Sequence, residues 1–388
     1  MVARVAFWGS LATLAFAYVG YPALTLLRAR TRPRPFQKAP ITPTVTILIA
    51  AHNEAAVIGR KIEALLAVDY PAELAQIIVA SDGSDDGTVE VARNAGGSRV
   101  DVLALPRTGK AQALNVAAAR ASGEILVFTD ANSLLATDAL RRLVSPFADP
   151  AVGGVAGNQV YRHESAEGGE GELTYWDVDR RLKVAETRAG SAVSATGALY
   201  AVRQSLFRAI PEGVTDDFVT SVGVVAQGHR LVFAPDAIAY EDVARSGRAE
   251  FARKVRVMTR GLRGVILMRR LLNPRRHGFY SVQLFTQKVL KRLTVIPNLV
   301  LAASAGLAWR WGGIYRVATV FEVCFAAAAL IGLGFPRSRL GRLPIFSLPA
   351  YFCMANAASL MALGNVLTGR HVVRWQTANR NIGHTKGR

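Results

Sequence analysis

The sequence predicts an α/β domain with a mainly parallel sheet, set between apolar segments that are long enough to cross a membrane. Between residues 44 and 133, short runs rich in Val, Ile and Leu alternate with stretches whose apolar residues have helical spacing. Strands that alternate with short helices are typical of a parallel sheet covered on both faces. The stretch from there to about residue 240 is less regular, so the prediction depends on the first half of the domain.

The alternating region contains four predicted strands and three predicted helices. The strand segments are short and β-rich, whereas the helix segments begin near Gly or Asp, or end near Gly, as helices commonly do. The strands are predicted at residues 45–51, 75–84, 99–105 and 124–133, and the helices at residues 55–68, 86–96 and 109–123.

The first apolar segment is a candidate transmembrane helix. Residues 5–27 carry no charge, and a helix needs about 20 apolar residues to cross a bilayer. A signal peptide is the alternative, but its apolar core would have about 7–15 residues and be followed by a small-residue cleavage site. We therefore expect a membrane helix that runs from outside to inside.

Positive charge is concentrated beside the apolar segments. The chain has 388 residues and a net charge of +19, from 47 Lys and Arg against 28 Asp and Glu, and its mean hydropathy is +0.22. One basic cluster, residues 28–38, directly follows the first apolar segment, and a second, residues 245–292, precedes the next one. This arrangement is the positive-inside pattern, so we expect membrane lipids rather than nucleic acid as partners.

The C-terminal part has a different character. Residues 254–270 and 277–292 alternate apolar and basic residues, as interfacial helices do, and apolar segments follow at residues 293–309, 317–335 and 343–369. Three crossings would place the basic tail outside, against the positive-inside rule. One of these segments is therefore expected to be re-entrant or interfacial. The first is the shortest, and the last is interrupted by Asn356 and Asn365.

These observations divide the chain into four regions. We expect a membrane helix with its basic linker at residues 1–38, the α/β domain at 39–245, interfacial helices at 246–292, and a transmembrane region with a basic tail at 293–388. The expected location is the cell membrane, with several crossings and the α/β domain on the cytoplasmic side.

Acidic residues stand at four places along the α/β region. Glu54, Asp82 and Asp130 come at or just after the ends of predicted strands, and the pair Asp216 and Asp217 follows later. Ligands of open α/β sheets bind at the carboxyl ends of the strands. Carboxylates gathered there favour a metal-assisted reaction on a phosphorylated substrate, although each acid alone could cap a helix or a turn.

Together these motifs resemble the inverting glycosyltransferases of family 2, of the membrane-integrated, synthase-like kind. The ordered segments that carry the resemblance are AHNE at 51–54, SDGSDD at 81–86, GKAQALN at 109–115, TDAN at 129–132, TGALYAVR at 196–203, TDD at 215–217 and RKVRV at 253–257. The resemblance implies a GT-A, or Rossmann-like, nucleotide-sugar domain. It covers essentially the whole chain.

The resemblance also implies roles for individual residues. Glu54 and Asp82 would contact the nucleoside of the donor, Lys110 and Arg256 its diphosphate, and Asp130 the donor through a metal ion. Mg²⁺ or Mn²⁺ would be the cofactor, since hard cations take oxygen ligands. Asn132 replaces the second Asp of the family's metal motif and can still offer a carbonyl oxygen.

On the acceptor side, Asp217 would be the general base that removes a proton from the acceptor hydroxyl. Gly197 and Ala198 would line the acceptor site, because small residues allow a sugar ring to approach the backbone. Processive members have Gln-x-x-Arg-Trp where this chain has Arg253 and Val257 around the arginine. The missing Trp weakens the case for a long-chain polymerase.

The sequence therefore predicts a hexosyltransferase that moves a sugar from a nucleotide-sugar, expected to be a UDP-sugar, to a glycan or lipid-linked acceptor. The product would carry a β-linkage, in polysaccharide or glycoconjugate synthesis. Three alternatives stay open: a transferase adding one sugar to a polyprenyl-phosphate or other lipid, a non-catalytic membrane scaffold, and a hydrolase of membrane-anchored glycans.

Overall fold

The structure, a computed structural model, describes residues 1–162, 170–242, 247–336 and 338–370. Side chains are described for these residues except at 162–177 and 242–250. Arg245 and the part of the basic tail that follows Arg370 lie outside the described residues. The chain divides into two compact units. The sheet unit comprises Pro35–Arg180 and Ser194–Arg245, and the helical unit comprises Met1–Arg34, Arg181–Val193 and Ser246–Val372.

The sheet unit is built on one sheet of eight strands. These are β1 (Val45–Ala51), β2 (Ala75–Asp82), β3 (Val100–Leu105), β4 (Ile125–Phe128), β5 (Leu134–Leu135), β6 (Val152–Arg162), β7 (Tyr200–Arg203) and β8 (Arg230–Asp242). Their order across the sheet is β3-β2-β1-β4-β7-β6-β8-β5. All four strand segments predicted from the sequence are present, although β2 and β4 end two and five residues earlier than expected.

The pairing is mainly parallel, as predicted, but it includes two reversed strands among those that the structure describes. β1 pairs in parallel with β2 and β4, as β2 does with β3 and β6 with β8. However, β7 runs antiparallel to both β4 and β6, and β5 runs antiparallel to β8. The regular βα alternation stops after β4, so the parallel rule could be applied only to the first half of the sheet.

Helices cover the sheet, and their apolar faces form the core with it. The sheet unit contains α3 (Ala55–Leu66), α4 (Thr88–Gly96), α5 (Lys110–Ala119), α6 (Ala139–Val144) and α8 (Asp216–Ala226). Strand β1 is buried at every position, as expected for a central strand with helices on both faces. The apolar, buried run of β1 ends at Ala51, and polar residues follow it directly at the carboxyl end of the strand.

The helical unit contains the helices that are apolar enough to lie in a membrane. Its helices are α1 (Val2–Ala15), α2 (Tyr21–Thr31), α9 (Gly247–Leu267), α10 (Pro274–His277), α11 (Phe279–Leu284), α12 (Lys291–Leu293), α13 (Val295–Leu307), α14 (Gly313–Gly334) and α15 (Pro344–Leu367), with part of α7 (Glu170–Ala189). A π-helical stretch, Phe16–Gly20, joins α1 to α2.

Among the residues of this unit that the structure describes, three helical segments are long and apolar enough to cross a membrane: Val2–Thr31, Gly313–Gly334 and Pro344–Leu367. A further pair, Phe279–Leu293 and Val295–Leu307, passes the same criterion only together and is bent by 53°. The shortest predicted C-terminal segment is therefore one arm of this bent pair.

Two polar contacts tie the N-terminal segment to the rest of the helical unit. The buried side chain of Glu186 on α7 accepts a hydrogen bond from the Tyr21 hydroxyl at 2.5 Å and another from Gln287 Nε2 at 2.9 Å. Trp8 Nε1 donates to the Tyr315 hydroxyl at 3.2 Å. Buried polar groups need such partners, so these contacts fix the register of the first helices.

Candidate active site

The loops that follow β1 and β2 are joined by hydrogen bonds. His52 Nδ1 lies 2.8 Å from the Asp82 carbonyl oxygen, and the Asn53 side chain accepts from the Asp85 backbone N–H at 3.1 Å. Asn53 has a φ of 53°, a left-handed conformation that Asn tolerates better than most residues. The two loops therefore form one surface, which carries both Glu54 and Asp82.

Asp86 stabilises this surface by capping two helices. Its carboxylate accepts the backbone N–H of Thr88, in the first turn of α4, at 3.0 Å and that of Ala55, in the first turn of α3, at 3.1 Å. Burial raises the pKa of Asp86, but the hydrogen bonds from Thr88 and Ala55 outweigh it and hold the pKa below its ordinary value.

Asp82 is fully buried, and only one of its two carboxylate oxygens has hydrogen-bond partners among the described residues. Its Oδ1 accepts the backbone N–H groups of Thr108 at 2.7 Å and Gly109 at 2.8 Å. Its Oδ2 is buried without a hydrogen-bond partner among the described residues. An unpaired buried acceptor costs about 1–3 kcal/mol, so this oxygen is suited to accept a hydrogen bond from a ligand.

Lys110 connects two of the acidic positions. Its Nζ lies 2.7 Å from Asp130 Oδ1 and 3.0 Å from Asp216 Oδ2. Burial alone would lower the pKa of Lys110, but the two carboxylates outweigh this effect and raise the pKa above its ordinary value. Lys110 is therefore a permanent cation, at the start of α5, between the segments TDAN and TDD.

A second lysine, which the sequence did not single out, holds the loop that contains Asp130 and Asn132. Lys61 is fully buried, and its Nζ donates to Thr129 Oγ1 at 2.7 Å and to the Ser133 carbonyl oxygen. Burial lowers the pKa of Lys61 to about 7, against the opposing effect of the Asp130 and Glu241 carboxylates. The sequence did contain a signal for this role, because Lys61 lies on the apolar, core-facing side of α3 beside the buried Ile62.

We expect Lys61→Met to loosen this loop while the sheet unit still folds. Methionine fills a similar apolar volume, but Thr129 and Ser133 lose the donor that spans the loop. We expect Mn²⁺ affinity to fall about tenfold, as for other groups that support metal ligands. Titration of Mn²⁺ followed by electron paramagnetic resonance would measure this, and unchanged affinity would contradict the role of Lys61.

Asn132 can present a carbonyl oxygen from the same loop. Its Nδ2 donates to Glu241 Oε1 at 2.9 Å, so the amide oxygen points away from Glu241. Within residues 1–162, 170–242, 247–336 and 338–370, no three His, Cys, Asp or Glu residues cluster in a way that could hold a metal ion. The oxygen atoms of Asp130 and Asn132 are of the type that suits Mg²⁺ or Mn²⁺, and their predicted role as metal ligands stays a prediction.

The small-residue segment lies directly beside the Asp130 loop. A Cβ added to Gly197 would stand 2.7 Å from Asp130 Oδ2, and Thr129 Oγ1 donates to the Ala198 carbonyl at 2.7 Å. The Ala198 side chain is buried. The sequence-based role of both residues in acceptor binding stays a prediction, and the structure adds that Gly197 makes room for the Asp130 carboxylate.

We expect Gly197→Ala to displace the Asp130 carboxylate and to weaken Mn²⁺ binding about tenfold or more. Gly223→Ala is a matched control, because a Cβ at this helical position would meet nothing within 4 Å. That control should bind Mn²⁺ normally and gain stability of up to about 1 kcal/mol. Equal Mn²⁺ affinity in both variants would show that the close approach of Gly197 is not required.

The two acids of α8 differ in their surroundings. Asp216 is paired with Lys110, whereas Asp217 Oδ1 accepts the Phe218 backbone N–H at 2.8 Å. Both charges act on Tyr200, a buried residue that stacks on Phe128 with ring centroids 4.7 Å apart. Burial raises the pKa of Tyr200 far above its ordinary value, and the carboxylates of Asp216 and Asp217 raise it further, so its hydroxyl stays protonated.

Arg256 belongs to the helical unit, on α9. Burial lowers its pKa, and the neighbouring guanidinium groups of Arg260 and Arg253 lower it further. Arginines that repel one another in this way form a surface that attracts anions. The predicted contact between Arg256 and a diphosphate stays a prediction.

The fold and these motifs match a known family. The model of the glycosyltransferase-like family 2 matches residues 43–264, more than half of the chain. The chain belongs to this family. The prediction made from the ordered motifs is thereby confirmed, including the α/β fold of the GT-A type.

Curated relatives are similar to this chain along much of its length. An N-acetylglucosaminyltransferase of Rhizobium sp. (strain N33) is 26% identical over 69% of the chain and 64% of its own length. One of Sinorhizobium fredii (strain NBRC 101917 / NGR234) is 25% identical, over 84% of the chain and 85% of its own length. A poly-β-1,6-N-acetyl-D-glucosamine synthase of Staphylococcus aureus (strain COL) is 28% identical over 50% of the chain and 49% of its own length. The chain thus spans about two thirds of the Rhizobium protein and half of the synthase.

Among solved structures, the mannosyltransferase PcManGT of Pyrobaculum calidifontis, in complex with GDP-Man and Mn²⁺, is similar with a TM-score of 0.71. The two proteins are 25% identical, and the match covers 95% of this chain and all of the other. The likeness therefore extends through both the sheet unit and the helical unit.

Proposed function

We propose that this chain is a metal-dependent inverting glycosyltransferase that transfers a sugar from a nucleotide-sugar to an acceptor hydroxyl at a membrane. The observation that carries the proposal is Lys110, whose Nζ lies within 3.0 Å of both Asp130 and Asp216. This contact unites the diphosphate, metal and base motifs, which are far apart in the sequence, at one edge of the sheet. A scaffold that had lost its activity would have no need to preserve all three.

The donor would bind with its base against Asp82 and its diphosphate at the start of α5. The unpartnered Oδ2 of Asp82 suits an N–H group of a nucleobase, with Glu54 on the same surface. Helix N-termini and nearby cations bind phosphate, so Gly109 and Lys110 would hold the diphosphate. When bound, the divalent cation supplies positive charge that stabilises the leaving diphosphate.

The acceptor would be activated by Asp217. Its carboxylate takes the proton of the acceptor hydroxyl while that oxygen attacks the anomeric carbon and the nucleoside diphosphate leaves. A single displacement inverts the configuration, so an α-linked donor gives a β-linked product. No enzyme carboxylate needs to form a covalent intermediate, in contrast to retaining hydrolases.

The donor can be identified by a screen of nucleotide-sugars on the purified full chain, followed by release of nucleoside diphosphate. We expect UDP-N-acetylglucosamine to be used best, because several relatives are named N-acetylglucosaminyltransferases. GDP-mannose, the ligand of the similar mannosyltransferase, is the comparison substrate. Absence of release with every donor, in the presence of Mn²⁺ or Mg²⁺ and membrane lipids, would contradict the proposed activity.

A single addition, for example to a lipid phosphate, is supported by one departure from the processive pattern. Val257 replaces the Trp of processive members, and it is 43% exposed on α9. A small aliphatic side chain offers no aromatic ring on which an acceptor sugar can stack. Gel analysis of products made from radiolabelled donor would separate the two modes, since one band indicates a single addition and a ladder indicates a polymer.

We further propose that the tail lies on the cytoplasmic side together with the sheet unit. The 53° bend between Phe279–Leu293 and Val295–Leu307 suits a re-entrant pair, after which α14 and α15 cross out and back. In this arrangement the tail is inside and the α14–α15 loop is outside. The positive-inside rule favours it, because the sequence of the tail has five basic residues and that of the loop has three. Those of the tail are Arg370, Arg374, Arg380, Lys386 and Arg388, and those of the loop are Arg337, Arg339 and Arg342.

Reporter fusions should test this arrangement. We expect a fluorescent protein fused after Arg388 to fluoresce and alkaline phosphatase at the same point to be inactive. The opposite pattern is expected for fusions within the loop near Ser338. An active phosphatase after Arg388 would instead mean that the bent pair crosses the membrane.

A further inference from the structure

The strand pairing at the edge of the sheet brings Asn132 next to Glu241. Short strand β5 follows the TDAN segment and pairs antiparallel with β8, with Leu134 opposite Tyr240. Two antiparallel strands run in opposite directions, so the residues just before Leu134 meet those just after Tyr240. Asn132 and Glu241 are therefore neighbours, although they are 109 residues apart in the sequence.

Both oxygen atoms of the Glu241 carboxylate are engaged by amide donors. Oε1 accepts from Asn132 Nδ2 at 2.9 Å, and Oε2 accepts from Gln159 Nε2. Gln159 also donates to the Tyr161 hydroxyl at 3.1 Å. In the parallel pairing of β6 with β8, Tyr161 lies opposite Glu241 and Gln159 opposite Ala239, so these side chains share one face of the sheet.

This network decides which end of the Asn132 amide faces the rest of the site. An ionised carboxylate only accepts hydrogen bonds, so Glu241 attracts the NH₂ group of Asn132 and turns its carbonyl oxygen away. A metal ion can bind the oxygen but not the NH₂ group of an amide. An Asp at position 132 could not make this contact, since two carboxylates at such a distance repel each other unless they share a proton.

We propose that Glu241 is a positioning residue that orients the Asn132 carbonyl toward the divalent cation, and that it carries the negative charge which the family's metal motif usually has at position 132. The inference rests on the proposed metal-dependent function and deepens it. Asn132 then supplies the oxygen that binds the metal ion, and Glu241 supplies the negative charge. Together the two side chains replace the single carboxylate that binds the metal directly in other members of the family.

Three variants of the full chain test this pair: Glu241→Gln, Asn132→Asp, and the two combined. The amide introduced at position 241 has one acceptor oxygen for the two donors, Asn132 and Gln159, so the Asn132 amide turns or loses its partner. The carboxylate introduced at position 132 faces Glu241. In the double variant the new amide donates to the new carboxylate and accepts from Gln159, so every group is paired again.

We expect each single variant to bind Mn²⁺ about 10- to 100-fold more weakly than the wild type, the usual effect of losing a group that supports a metal ligand. The double variant should recover to within about threefold of the wild type, a rescue that independent effects do not produce. Asp236→Asn removes the same charge at an exposed position of β8 and should bind Mn²⁺ normally. Electron paramagnetic resonance of free Mn²⁺ and thermal unfolding would be measured for all five proteins.

Any of three results would overturn the inference while leaving the proposed function intact. One is a Glu241→Gln variant with wild-type Mn²⁺ affinity, and the other is an Asn132→Asp variant that binds Mn²⁺ more tightly than the wild type without any change at Glu241. A double variant no better than the single ones would also overturn it. If the wild type binds no Mn²⁺ and transfers sugar equally well in chelator, the metal-dependent function itself is wrong.

Discussion

Replacement of Asp217 by Asn should lower the rate of sugar transfer by about 100-fold or more, the usual contribution of a general base. The amide cannot take a proton from the acceptor, although its oxygen can still accept the Phe218 N–H bond that Asp217 accepts at 2.8 Å. The start of α8 is therefore expected to remain folded, and donor affinity to stay within about threefold of the wild type. kcat from nucleoside diphosphate release and Kd from calorimetry would separate the two effects.

Asp216→Asn is the informative comparison for Asp217, because the two acids are adjacent but differ in their partners. Asp216 is paired with Lys110 at 3.0 Å, so its loss should alter donor binding and leave a measurable kcat. If Asp216→Asn abolished turnover with donor binding intact while Asp217→Asn remained active, the two roles would have to be exchanged.

Replacement of Asp130 by Asn should abolish detectable Mn²⁺ binding and reduce transfer on the order of 1000-fold. A bound metal ion contributes several kcal/mol of charge stabilisation to the transition state, and about 4 kcal/mol corresponds to this factor. Asp130 is the only carboxylate of the TDAN segment, and the amide at position 132 supplies no charge to replace it. Lys110 should keep its position, since Asp216 still holds it.

Asp101→Asn provides a charge-matched control for Asp130. Asp101 lies exposed on β3 and accepts a hydrogen bond from Gln76 Nε2 at 3.2 Å, so its substitution should affect neither Mn²⁺ binding nor transfer. Transfer by Asp130→Asn at the wild-type rate, over a range of Mn²⁺ concentrations, would remove Asp130 from the metal site.

The carboxyl-end rule explains why several site residues could be found before the fold was known. Glu54 and Asp130 follow β1 and β4, and Asp82 is the last residue of β2. These three strands are neighbours in the sheet and run parallel. Parallel neighbours end at the same edge, so acids that follow them are brought together whatever the rest of the fold does. In the second half of the sheet the sequence pattern is irregular, and β7 and β5 run antiparallel to their neighbours, so the rule could not be applied there from the sequence alone.

Glu241 shows the limit of the same rule. It follows an apolar run near the end of β8, as the other acids follow theirs, but nothing in the sequence indicates that β8 lies beside β5. A partner 109 residues away depends on the order of strands across the sheet, which short and irregular segments do not reveal.

The sequence by itself determined the family, the α/β class, the apolar segments that could cross a membrane, and the acids that follow the first strands. Local pattern suffices for these, because alternation, helical spacing and ordered motifs are properties of neighbouring residues. Only the tertiary structure decided that Lys110 joins Asp130 to Asp216, that Lys61 spans the TDAN loop, and that Asn132 donates a hydrogen bond to Glu241. Those contacts join segments on different strands and helices, and a buried lysine or amide takes its role from the partners that the fold places around it.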